Sequence, residues 1–146
     1  MSGQPEQRVL LTARFIAVAL LFNIAILTVL AFLIASGKIA AANAESPIDP
    51  ATAKSMRAVF LALGAGFPFL SLVVRRTLDA RVIATGGSPQ RHFSNLLVAF
   101  ALCEVPAMLG LVAAILLHDV RAVVLLGLFS FVAGLIHFPR QGMFRQ

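Results

Sequence analysis

The chain has no tryptophan, no tyrosine and a single cysteine. Without Trp or Tyr the usual aromatic belt at a membrane boundary is missing, so phenylalanine and arginine must anchor any interface. The lone Cys103 excludes an internal disulfide, and no Cys/His cluster stands beside it to ligate a metal. It reads as a small residue buried in an apolar run. Charge is scarce as well: Asp, Glu, Lys and Arg make up 12% of the chain, against about 25% in an average soluble domain. No phosphate-binding glycine loop, nucleophile elbow or zinc motif occurs. Enzyme chemistry, catalytic residues, metals and cofactors are therefore not expected.

What is present is apolar surface. Of 146 residues, 60% are hydrophobic, and the mean hydropathy is +0.94. A soluble fold of this size could not bury so much, and lipid is the simplest surrounding that accepts it. Four apolar runs, at about 13–36, 56–74, 94–117 and 122–138, compare with the roughly 20 residues a spanning helix needs. Backbone groups in lipid must be satisfied within the segment, so each run is expected to be helical. The expectation is one all-α membrane domain over 1–146, a bundle of four transmembrane helices.

The net charge of +6 would suggest nucleic acid in a soluble protein. Here the basic residues lie in short segments between apolar runs, so they orient the chain and no nucleic-acid face is expected. Arg8, Arg14, Arg75, Arg76, Arg81, Arg91, Arg140 and Arg145 fall on one side. Lys38, Lys54, Arg57 and Arg121 fall on the other, beside Glu45, Asp49 and Asp119. Eight against four places both termini and the second loop in the cytoplasm of a bacterial-type inner membrane. A competing reading takes the first run, followed by Ala42-Asn43-Ala44, as a cleaved signal peptide, although its apolar stretch is longer than the usual core. Pro47 and Pro50 mark the first loop as an exposed excursion. The second loop turns at Gly86-Gly87-Ser88-Pro89, and 75–84 could prolong the second helix past the membrane surface.

Helices in lipid associate where small residues let backbones approach. Ala58, Ala62 and Gly66 form such a stripe in the second run. Cys103, Ala107, Gly110 and Ala114 do so in the third, and Gly127, Ser130 and Gly134 in the fourth. These stripes pack the bundle on itself, or one of them joins copies of the chain; the sequence leaves both open. Pro68 and Pro106 predict kinks, each freeing a carbonyl one turn back, at Gly64 and Leu102.

Glu104 carries the most information. An ionised carboxylate near the middle of a span costs at least several kcal/mol, so it must be protonated, paired or bound to a cation. Leu102 and Pro106 lie within one turn of it. Asn23 and Ser71 are polar residues of neighbouring spans with no other evident role, and either could hydrogen-bond it. Arg14 and Arg57 stand at the very ends of their runs, so no intramembrane Lys or Arg is available to pair with it. Glu104 thus either handles a proton or cation, or ties helices together. His92, His118 and His137 stand at span ends, near water, and do not supply the facing pair that a membrane haem requires.

Residues 57–117 resemble the hairpin of the c subunit, the proteolipid of rotary ATP synthases. The first helix carries Ala62-Leu63-Gly64-Ala65-Gly66 and the loop Ser88-Pro89-Gln90-Arg91. The second helix runs from Ala99 through Cys103-Glu104-Val105-Pro106 to Gly110 and Val112. The resemblance implies that Glu104 holds the ion-binding position. It also implies a homo-oligomer or a larger membrane protein as partner, since an opposing charge must come from outside this chain. Here an extra span flanks the hairpin on each side. The alternative is an accessory or scaffold subunit in which Glu104 only stabilises packing.

Overall fold

The computed structural model describes residues 4–39, 48–86 and 88–139. The Ala42-Asn43-Ala44 cleavage reading, Glu45, Pro47, Gly87, Arg140 and Arg145 lie outside them. Four helices follow in order: α1 (Gln4–Ala35), α2 (Pro50–Ala84), α3 (Pro89–Leu117) and α4 (Val120–Ile136). Three of them, α1 to α3, are long and apolar enough to cross a membrane; α4, at 17 residues, is a shorter apolar helix. The three long helices outrun their apolar runs, α3 by starting at Pro89. α1 begins at Gln4, because polar residues such as Gln and Arg are good helix formers where lipid no longer matters. α2 continues past Val74 through Arg75 and Arg76 to Ala84.

Aspartates start two of the helices. Asp49 accepts from the amides of Ala51 and Thr52 at 3.0 Å each. Hydrogen bonds from Thr52, above all from its side chain, hold the Asp49 carboxyl below the usual carboxylate range. Asp119 caps α4 through Arg121 and Ala122 and also pairs with Arg57 of α2. Only His118 and Asp119 separate α3 from α4, and His118 makes that reversal in the left-handed conformation, φ 49°.

Packing fixes the directions. Ala13 and Ala17 of α1 cluster with Leu96 and Phe100 of α3, and Ala31, Ile34 and Ala35 cluster with Ala114, so α1 runs parallel to α3. α3 and α4 each pack against all three other helices, and α1 and α2 flank that central pair. Among the described residues, ten of the eighteen buried apolar side chains are alanine. Large side chains such as Phe15, Phe22, Phe69 and Phe131 are instead exposed. Small inside and large outside reverses the soluble pattern. It lets backbones approach closely and offers the bulky groups to an apolar surrounding. The described chain is an all-α bundle with three helices long and apolar enough to cross a membrane.

Glycines mark the closest approaches. A Cβ on Gly127 would run into Thr28 Cγ2 and lie 3.0 Å from Thr28 Cβ, so α1 and α4 cross closely there. Gly134 meets Leu21 two turns further on, which makes α4 antiparallel to α1. Gly110 and Ala114 are buried in the α3–α4 contact. The stripe on α2 is different. Ala58, Ala62 and Gly66 are exposed, and a Cβ on Gly66 would meet nothing within 4 Å. Gly64, two residues earlier, is the buried glycine of α2, against Leu126 and Pro106. Helical periodicity picks out a face, but it does not say which face meets a neighbour.

Candidate functional site

The outer seam between α1 and α3 holds the carboxylate. Glu104 is half-buried near the middle of α3, and Asn23 of α1 donates its side-chain amide to Glu104 Oε1 at 3.2 Å. Asn23 itself is exposed. The pair therefore sits on the outside of the bundle, where Phe22, Ile26 and Met108, close by along the two helices, are exposed as well.

Pro106, two residues on, is fully buried. The amide of Ala107, beside it, donates to Ser130 Oγ of α4 at 2.8 Å. Ser130 is thus the polar residue that satisfies the backbone where proline disturbs the α3 ladder. Leu102 is half-buried.

Ser71 does not meet Glu104. It is buried on the inner side of α2, and its hydroxyl donates to the Pro68 carbonyl at 2.6 Å. Its oxygen receives Cys103 Sγ at 3.6 Å and faces His137 Nε2 at 2.9 Å. His137 is bound from the other side by Arg75, whose Nη1 lies 2.9 Å from Nδ1 and 3.0 Å from the His137 carbonyl oxygen. A guanidinium can only donate. Nδ1 must therefore accept, and the ring proton sits on Nε2, directed at Ser71 Oγ. That oxygen is free to accept because its own proton is spent on Pro68. Each donor in the cluster thus has an acceptor, with His137 as the neutral Nε2–H tautomer.

Arg75 also extends this cluster towards the arginine-rich end. Its Nε lies 3.6 Å from Asp79 Oδ2, one turn along α2. Asp79 Oδ1 in turn accepts from Asn95 Nδ2 at 3.1 Å and meets His92 Nδ1 at 3.2 Å, both on α3. One turn of α2 therefore holds the end of α4 through Arg75 and the start of α3 through Asp79.

These findings correct the reading of two histidines. His92 is 7% exposed and His137 is 1% exposed. Both stand at helix ends, but inside the bundle and away from water. Phe100 closes over His137 edge-on, with ring centroids 6.4 Å apart. The sequence did carry a signal: Asp79 stands four residues after Arg75, the spacing of a helical ion pair, just past the point where the apolar run ends. Among the described residues no group of three His, Cys, Asp or Glu side chains could hold a metal ion.

No protein-family model, no curated relative and no solved structure matches this chain.

Proposed function

We propose that this protein is a multi-pass, four-span subunit of a bacterial-type inner membrane that takes up and releases a proton, or a cation in its place, at Glu104. One observation carries the reading: a half-buried carboxyl near mid-helix, on the outer face of the bundle, with Asn23 as its partner. A carboxyl in that position is open to a second protein sliding past or docking on the seam. Asn23 can donate to the ionised form and leave the second oxygen for a proton or cation.

The c-subunit resemblance over 57–117 supports the same role for Glu104. The opposing charge comes from a further copy or a larger membrane partner, since Arg75 is engaged with His137 and Asp79. The arginine excess in the first segment, the second loop and the tail puts both termini on the cytoplasmic side.

Carbodiimide labelling of Glu104 in membranes, read by mass spectrometry across a pH series, tests this. Such reagents attack a protonated carboxyl in an apolar setting. Labelling that fades as pH rises, or on adding sodium, is expected. Absence of labelling at every pH would sink the ion-handling reading.

The Asn23–Glu104 bond also favours a second reading, in which the protein is an accessory or scaffold subunit and the bond merely braces α1 against α3. On that reading Glu104→Gln, which keeps an acceptor for Asn23, leaves assembly with the partner intact.

A further inference from the structure

The arginine-rich end carries positive charge that the described residues leave uncompensated. Arg8, Arg76, Arg81 and Arg91 are exposed there, and none forms an ion pair with a described carboxylate. Asp79 is the acidic side chain described at this end, and Arg75, His92 and Asn95 already take it up.

Arg8 lines a concavity. A cleft of about 210 Å³ opens between the first turns of α1 and α3, lined by Arg8, Val9, Thr12, Gln90 and Phe93. Arg8, Thr12 and Gln90 offer a guanidinium, a hydroxyl and an amide, all able to donate to phosphate oxygens. Val9 and Phe93 are half-buried and pack on the Ala13, Ala17, Leu96 and Phe100 cluster beneath, so the cleft also has an apolar side. The positive end of α3 adds to the field: Ser88 makes no side-chain capping bond, whereas Asp49 and Asp119 cap α2 and α4.

We propose that this cleft binds the headgroup phosphate of an anionic phospholipid. Arg8 supplies the charge, Thr12 and Gln90 hydrogen-bond the phosphate, and Val9 and Phe93 lie against the glycerol and first methylenes. A free phosphate ion offers the same oxygens but has nothing to place against Val9 and Phe93, so a lipid is the better occupant. The site rests on the proposed membrane setting, which puts the ends of α1 and α3 at the level of headgroups, but not on what Glu104 does.

The test is retention of lipid by the purified full chain in detergent, read by native mass spectrometry. Phosphatidylglycerol is compared with phosphatidylcholine of the same acyl chains. Preferential retention of phosphatidylglycerol is expected. Arg8→Gln lowers it about five-fold, the effect of one juxtamembrane arginine, and Thr12→Val lowers it less. Arg76→Gln, at the same end but outside the cleft, keeps the preference; unchanged helicity by circular dichroism certifies each variant. Equal loss in Arg8→Gln and Arg76→Gln would mean diffuse attraction and overturn the site. So would equal retention of the two lipids. Displacement of the lipid by an equal concentration of inorganic phosphate would reassign the cleft to the free ion and overturn the lipid.

Discussion

Glu104 and His137 are both ionisable groups in an apolar bundle, yet they are provided for in opposite ways. His137 lies inside, 1% exposed, with Ser71 on one ring nitrogen and Arg75 on the other. Its tautomer is dictated, and its backbone carbonyl is bound as well. Glu104 lies on the outer seam, half-buried, with a 3.2 Å bond from an exposed Asn23. A fully satisfied polar cluster rigidifies the part of the fold it occupies. A carboxyl with spare acceptor capacity on the outside has room for chemistry or for a partner. The inner cluster is architecture at the arginine-rich end, and the outer pair is the place to look for function.

The comparison breaks most visibly at Arg75. Arg75→Ala removes the donor to His137 and the partner of Asp79 together, leaving buried acceptors unpaired. A loss of about 3 kcal/mol is expected, read as a fall in thermal midpoint in detergent. A change within about 0.5 kcal/mol, the range of an ordinary surface substitution, would show that the cluster does not hold the helix ends.

Packing gives the next largest effect. Gly127→Ala forces a methyl against Thr28 at the α1–α4 crossing, at a cost of about 2 kcal/mol. Gly66→Ala, with open space at its Cβ, should be neutral within about 0.5 kcal/mol in the isolated chain. If both behave alike, the crossing is looser than described.

The smallest stability effect belongs to the outer pair. Glu104→Gln keeps an acceptor for Asn23, so the thermal midpoint should stay within what about 0.5 kcal/mol produces, while carbodiimide labelling disappears. A large stability loss would move Glu104 from function to architecture and erase the contrast with His137.

Much of the fold was legible because lipid imposes a simple rule on composition. The apolar runs at 56–74 and 94–117 lie within α2 and α3, the run at 13–36 passes the end of α1 by one residue, and the fourth run covers most of α4. Their ends were less legible, since a helix leaving an apolar layer continues on propensity alone, as α1 does back to Gln4 and α2 on to Ala84. Asn23 beside Glu104 could be anticipated from polarity in an apolar setting, but Ser71, chosen on the same ground, turned out to serve His137. Polarity shows that a partner is needed; only the rotation of each helix shows which. Arg75, counted as an orientation charge, became the centre of the inner cluster for the same reason. The small-residue stripe of α2, Ala58, Ala62 and Gly66, faces outward while Gly64 packs, a distinction that spacing alone cannot make.

The 17 residues of α4 rise about 26 Å at 1.5 Å per residue, while α1 and α2 have 32 and 35 residues and reach well beyond the roughly 30 Å of hydrocarbon in a typical bilayer. In the proposed membrane setting the two sides of this small bundle therefore fit different thicknesses of lipid. Acyl chains beside α4 must compress and those beside α1 need not, so the protein carries a built-in hydrophobic mismatch. A neighbour with a short span would relieve it by standing against α4, and a bilayer of the wrong thickness would tilt the whole molecule.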